Sequence, residues 1–197
     1  MRIRNLLLDL GGVLYGVDYG RTLQALGLSQ DAFHLLEDPI LKRYEKGEIS
    51  TDTFLAHWST RFPHLSLPQL LQAWNAMLLG PLPEAEEVLS ILQAHFRLAL
   101  FSNTNLLHIE VVEPQIALWK PYFDAVFYSC FIGKRKPDPE AFTYVLERLG
   151  WPAEETLFVD DNPHNIRGAE SVGMRGYHLH PPNQPTLLLK LVETLQV

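Results

Sequence analysis

Short apolar runs alternate along this chain with longer stretches in which apolar residues recur at helical spacing. The runs Ile3–Leu8, Leu98–Phe101, Ala125–Tyr128, Thr156–Val159 and Gly176–Leu179 predict strands. Most are rich in Leu, Val, Phe or Ile, as strands of a sheet covered on both faces should be. Between the later ones, Pro139–Leu149 carries Phe142, Val145, Leu146 and Leu149 at helical spacing and stops at Gly150. Asn162-Pro163 reads as an N-cap followed by proline at the first helical position, with Gly173 closing that helix. Gln184–Gln196 reads as a terminal amphipathic helix. The alternation predicts an α/β fold with a Rossmann-like, mainly parallel sheet.

The first two strands break the rhythm, because roughly eighty residues separate Leu14 from Leu98, far more than one crossover needs. Pro83–His95 supplies the crossover helix. The rest contains helical segments at Gln30–Glu37, Ile40–Lys46, Thr51–Arg61 and Pro68–Leu79, and Phe54, Leu55, Trp58 and Phe62 share one face of the third. The expected organisation is therefore an α/β core made of residues 1–15 and 83–197, with a small helical cap inserted at 16–82. Pro181-Pro182-Asn183 reads as a plain loop.

A length of 197 residues suits one compact domain or a core with a small lid, and 47% hydrophobic with 20% charged residues is ordinary for a globular protein. The formal charge of −7 gives no electrostatic reason to bind nucleic acid or an anionic membrane, so an anionic ligand would need a local cluster of positive groups. Cys130 is the single cysteine, which excludes an internal disulfide and a thiolate metal cage and suggests a cytoplasmic setting. Arg2 and Arg4 before Leu6-Leu7-Leu8 mimic the start of a signal peptide, but Asp9 breaks the run and no small-residue cleavage site follows. No apolar stretch approaches the ~20 residues of a membrane helix.

Three of the predicted strands end in polar groups: Asp9, Ser102 and Asp160-Asp161. In open α/β sheets ligands bind outside the carboxyl ends of the strands, where strand order reverses, and such winding would bring these groups to one crevice. Each also has a plainer use. Asp9 suits the start of a turn, Ser102 and Asp161 suit helix caps, and Lys136, within Gly133-Lys134-Arg135-Lys136-Pro137, suits a solvated loop. Their order and spacing together carry more weight than any one of them.

Asp9-Leu10-Gly11-Gly12-Val13-Leu14 resembles the first motif of haloacid dehalogenase-type hydrolases, D-x-D-G-[TV]-L. Ser102-Asn103-Thr104 resembles the second, Lys136-Pro137-Asp138-Pro139 with Phe142 the third, and Asp160-Asp161 with Asn165 and Gly168-Ala169 the fourth. The resemblance spans the chain in the right order, and the insertion lies where subfamily I of these enzymes carries its helical C1 cap. It implies a magnesium-dependent phosphatase acting on a small phosphorylated metabolite through an aspartyl-phosphate on Asp9. Mg²⁺ would bind the Asp9 carboxylate, the Gly11 backbone carbonyl and the Asp161 carboxylate. Ser102 would donate to the phosphoryl oxygens, Lys136 would neutralise developing charge, and loop amides near Gly11, Gly12 and Asn103 would approach the phosphate. Asp160 and Asn165 would position Lys136 or the metal's waters. A monomer or homodimer is expected, with no nucleic-acid or membrane partner.

The family usually places a second Asp, its general acid and base, where this chain has Gly11. General acid–base help is worth ~10²–10⁴ in rate, so its absence bears on turnover. The opening D-L-G-[GN]-V and the stretch Ser102 to His108 also resemble a branch that includes bacterial glucose-1-phosphate phosphatases, which favours a sugar phosphate. Two other readings stand beside this one: a 2-haloacid dehalogenase, which needs no metal, and a non-catalytic binding or regulatory protein on the same fold. The eight histidines show no metal-ligand spacing, so a surface or core role suits most of them; His108, which follows the second motif, has pocket lining as an alternative to core packing. Trp58 and Trp74 read as cap packing. Asp18, Tyr19, Arg21, Tyr44 and Lys46 are the cap residues placed to meet a leaving group, with cap packing or surface solvation as the equal alternative for each.

Overall fold

In the computed structural model, which describes residues 2–29, 32 and 38–195, the sheet is built from five short strands. These are β1 (Asn5–Leu8), β4 (Arg97–Ser102), β5 (Ala125–Tyr128), β6 (Thr156–Asp160) and β7 (Arg175–His178), all parallel, in the order β5-β4-β1-β6-β7. Each matches a predicted strand within two residues at either end. Side chains of a strand alternate between faces, and here both faces are apolar. Leu6, Leu8, Leu98, Leu100, Leu157 and Val159 enter one core with α5 (Ala85–Gln93) and α10 (Leu189–Leu195). Leu7, Ala99, Phe101 and Phe158 enter the other, with α8 (Pro139–Leu149) and α9 (Pro163–Glu170). The chain winds outward from β1 to one side through β4 and β5, then returns to the other through β6 and β7, so the reversal point lies beside β1.

The helix boundaries follow local chemistry. Gly150 ends α8 in the left-handed conformation at φ +64°, and the Asn162 side chain accepts from the His164 amide to start α9. The terminal helical segment opens as a 3₁₀ turn at Pro185–Leu188 before α10, which runs to the last described residue, Leu195.

Between β1 and β4 lie α1 (Tyr19–Ala25), α2 (Pro39–Glu45), α3 (Thr51–Arg61) and α4 (Leu67–Asn75). They close on their own aromatic cluster, in which Phe54 stacks on Tyr44 at 4.5 Å and Trp58 meets Trp74 at 5.2 Å. The expected helix at Gln30–Glu37 lies outside the described residues. The expected helix Pro68–Leu79 stops at Asn75, because the Thr22 hydroxyl donates to the Trp74 carbonyl and accepts from the Met77 amide, drawing the chain out of the helix. Leu78–Pro81 then forms β3, antiparallel to β2 (Tyr15–Val17). This two-stranded ribbon, absent from the sequence expectations, joins the helical layer to the sheet. Both strands contain glycine and each is four residues or fewer, too short for a period-of-two signal. The layer is seated on the sheet's carboxyl end through α6 (Leu106–Val112), whose Leu107 enters the aromatic cluster and donates its amide to the Tyr44 hydroxyl.

Candidate active site

Asp9 follows β1, Ser102 ends β4 and Asp160 ends β6, so three adjacent parallel strands deliver these groups to one crevice at the reversal point. Lys136 completes the centre from the loop between the short helix α7 (Ser129–Ile132) and α8. Its Nζ lies 2.7 Å from Oδ1 of Asp9 and 2.7 Å from Oδ2 of Asp160, with the rings of Phe101 and Phe158 beneath it. At 1% exposure Lys136 is not a solvated loop cation.

The plainer uses of Ser102 and Asp161 are also displaced. Asn105 caps α6 by accepting from the His108 amide, and Asn162 caps α9, so neither helix start uses Ser102 or Asp161. Ser102 is buried at the strand end. Asn103 spends its side-chain amide on the backbone of Lys136, donating to its carbonyl at 2.8 Å and accepting from its N–H at 2.9 Å. That exchange fixes the loop in register with β4.

Asp160 is saturated with donors. Oδ1 accepts from the Asn162 amide and from Asn165 Nδ2, and Oδ2 accepts from Asn165 Nδ2 and Lys136. Asp161 stands beside it, partly exposed, with its carbonyl 2.9 Å from Nε2 of His178. Oxygen atoms of Asp9, Asp160 and Asp161 all lie within 4.8 Å of one another. Three carboxylates so placed repel one another, and Lys136 is a single positive charge. Burial pushes the Asp9 carboxyl up to about 8, with Lys136 pulling down and Asp160 and Asp161 pushing further up. Burial and then Asp160 raise Asp161 to about 6, against Lys136. Burial works against the charge of Lys136, but Asp160 and Asp9 outweigh it and hold the ammonium above the ordinary lysine range. The donors are all oxygen, so the charge imbalance and the chemistry together fit one hard divalent cation.

The turn after Asp9 is shaped for close approach. Gly12 has φ +74°, which favours glycine, and its N–H donates to the Tyr15 carbonyl at 2.8 Å. In this arrangement the Gly12 amide is engaged within the turn, and the residue's distinct contribution is the space it leaves for Asp161. Gly11 sits against Val17, whose Cγ2 would stand 3.1 Å from a Cβ at that position.

Sequence reasoning missed the brace behind this turn. Asn183, in the segment read as a plain loop, donates its amide to the Gly12 carbonyl at 2.6 Å and accepts from the Val17 amide through its side chain. An asparagine after two prolines was the available signal, since asparagine tolerates positive φ and bonds to backbone; its φ is +61°. His108 is buried against Trp74, rings 5.0 Å apart and nearly parallel, and burial lowers its pKa to about 4. It packs the seam between helical layer and sheet as a neutral ring. Trp58 and Trp74 are core, as expected. Tyr19 opens α1 half exposed, Arg21 pairs with Asp18, and Tyr44 is buried with its hydroxyl on Thr51.

Residues 3–173 match the hydrolase family described as haloacid dehalogenase-like hydrolase. A D-ribitol-5-phosphate phosphatase of Bacteroides thetaiotaomicron is 28% identical over 89% of this chain and 91% of its own length. A drimenol cyclase of Aspergillus calidoustus is 30% identical over 92% of this chain, which spans 35% of that larger protein. Among solved structures, a haloacid dehalogenase family enzyme of Bacteroides thetaiotaomicron, crystallised as a magnesium complex, superposes with a TM-score of 0.79 at 29% identity. The alignment covers 91% of this chain and 94% of that one.

Proposed function

The chain belongs to the haloacid dehalogenase-like hydrolases, and within that family we propose that it is a magnesium-dependent phosphatase that hydrolyses a small phosphorylated metabolite, a sugar or polyol phosphate in preference. The observation that carries this is the convergence of Asp9, Asp160 and Asp161 within 4.8 Å around a single buried lysine. The similarity to a D-ribitol-5-phosphate phosphatase and to an enzyme crystallised with magnesium supports it.

Asp9 and Asp161, with the carbonyl of Gly11, would hold the ion; Asp160 already carries four donor contacts and serves instead to position Lys136, with Asn165 fixing its rotamer. Bound there, Mg²⁺ supplies the positive charge that lets a carboxylate and a phosphate dianion approach. A carboxylate oxygen of Asp9 attacks phosphorus, the ester P–O bond breaks, and the leaving oxygen takes a proton from water because Gly11 carries no acid. Water then attacks the same phosphorus and the acyl-phosphate P–O bond breaks, releasing inorganic phosphate and restoring the Asp9 carboxylate. Lys136 and the Ser102 hydroxyl neutralise charge on the phosphoryl oxygens in both steps.

Residues 16–82 act as the cap that covers the site and selects the leaving group, with Tyr19 half exposed at the start of α1. Three carboxylates this close repel one another unless a cation is bound, which argues against a metal-free dehalogenase. The joint presence of Asp9, Ser102, Lys136 and Asp161 argues against a purely binding protein. Among the described residues no helix is long and apolar enough to cross a membrane. The single cysteine suits a cytoplasmic enzyme, and a monomer or homodimer is proposed.

The test is p-nitrophenyl phosphate turnover with and without Mg²⁺, beside 2-chloropropionate and a panel of sugar, polyol and prenyl phosphates. Metal-dependent phosphate release is expected, with the hydroxylated esters preferred. Halide release, or full phosphatase activity after exhaustive chelation, contradicts the reading.

A further inference from the structure

Two consecutive residues at the end of α2 engage the loop that carries Lys136, one on each side of it. Oε2 of Glu45 accepts from Nε of Arg135 at 3.0 Å and lies 2.9 Å from Nη2, and both side chains are largely buried. Nζ of Lys46 lies 3.3 Å from Oδ2 of Asp138. Arg135 and Asp138 bracket Lys136-Pro137. The next residue, Gly47, has φ +66°, and a Cβ there would stand 2.3 Å from the Cys130 carbonyl, so the backbone after α2 rests directly on α7. The signs alternate on both partners: Glu45-Lys46 faces Arg135 and Asp138. A slip of one residue would set like charges together, which penalises any other seating. The nearby Lys134–Glu140 pair, by contrast, is local to the loop and joins nothing to the helical layer.

We infer that the end of α2 is a clamp on the Lys136 loop, with Glu45 and Lys46 acting through Arg135 and Asp138 as positioning residues that hold Lys136 between Asp9 and Asp160. The reacting cation is then correctly placed only while the helical layer is seated. Asn103 fixes the loop from the sheet side and the clamp fixes it from the layer side. This role rests on the phosphatase reading, in which Lys136 faces the phosphoryl group. The ionic contacts themselves do not.

A double-mutant cycle on the whole chain tests it, with p-nitrophenyl phosphate turnover and hydrogen exchange of the backbone amides of residues 133–136 and 138 as separate readouts. Glu45→Gln and Arg135→Gln are each expected to lower kcat about tenfold, to change KM less than about twofold, and to combine to no more than either alone. Exchange in the loop should quicken in all three. Lys46→Gln, at the more exposed pair, should shift both readouts the same way by about two- to threefold, and it carries the test if the buried-pair variants fold poorly. Singles that multiply to about a hundredfold, or that raise KM alone, overturn the clamp in favour of direct substrate contact. Unchanged exchange with unchanged kcat overturns it outright. If the wild type hydrolyses no phosphomonoester while loop exchange still responds to Glu45→Gln, the phosphatase reading fails and the clamp stands.

Discussion

The backbone of Gly12 passes so close to Asp161 that a Cβ on it would stand 2.3 Å from Oδ2 of that carboxylate. The nucleophile's turn and the carboxylate after β6 are therefore built as one surface. Gly12→Ala meets both this collision and a φ of +74°, the latter costing about 1–2 kcal/mol by itself. The expected outcome is a loss of at least about a hundredfold in kcat/KM with weakened Mg²⁺ saturation, roughly 2.7 kcal/mol in transition-state terms. A metal titration of the variant checks it; turnover within about twofold of wild type contradicts it.

Lys136→Met should cost far more than its size suggests. It leaves Asp9 and Asp160 buried without their cation, and breaking such a pair typically destabilises by about 3–5 kcal/mol. Urea denaturation at neutral pH should show that loss together with abolished turnover. Lys134→Met, at a more exposed pair with Glu140, should stay within about 1 kcal/mol of wild type.

The metal-free protein should lose stability as pH rises. Asp9 and Asp161 have folded pKa values of about 8 and about 6, above the ordinary aspartate value near 3.8. Their protonated forms are thus favoured by folding, and that contribution is complete below about pH 4 and lost as pH climbs through about 6 and then about 8. Saturating Mg²⁺ should remove the decline and release about one proton per ion near pH 7. Thermal melts with and without metal, and calorimetry in buffers of different ionisation enthalpy, measure the two effects. A metal-free Tm that climbs between pH 6 and 8 contradicts the charge balance described for the site.

With glycine at position 11, turnover should depend steeply on the leaving group. Aryl phosphates, whose phenolates depart unaided, should outrun alkyl phosphates, within the ~10²–10⁴ that a general acid is worth. Gly11→Asp should narrow the gap, and should do so better with Val17→Ala, because Val17 Cγ2 lies 3.1 Å from the position of the new Cβ. Equal wild-type rates for aryl and alkyl esters show that another acid operates.

The central strands β1, β4 and β6 were legible in the sequence because they are buried on both faces and read as apolar runs, while the partly buried edge strands β5 and β7 were marked by their place in the alternation with helices. The polar ends of β1, β4 and β6 were legible for the same reason, since Asp9, Ser102 and Asp160 interrupt those runs. What escaped depends on long-range partners. Thr22 ends α4 from more than fifty positions away, Asn183 reaches back to Gly12 and Val17, and Glu45 finds Arg135 across ninety residues. The β2–β3 ribbon escaped because its strands are short and glycine-bearing, so tertiary pairing rather than propensity forms it. Ser102 and Asp161 each sit near a helix start, and only the structure separates them from Asn105 and Asn162, which do the capping.

The most direct test of the central claim, that Asp9 attacks phosphorus, is the turnover of Asp9→Asn with Mg²⁺ and p-nitrophenyl phosphate. The amide is nearly isosteric with the buried carboxyl, and Asn can still bond to Lys136 through its carbonyl oxygen, so the variant should fold with a Tm near or above that of wild type. No phosphate release above background is expected. Turnover within about tenfold of wild type, or ~1.4 kcal/mol in the barrier, contradicts the assignment of Asp9 as the nucleophile.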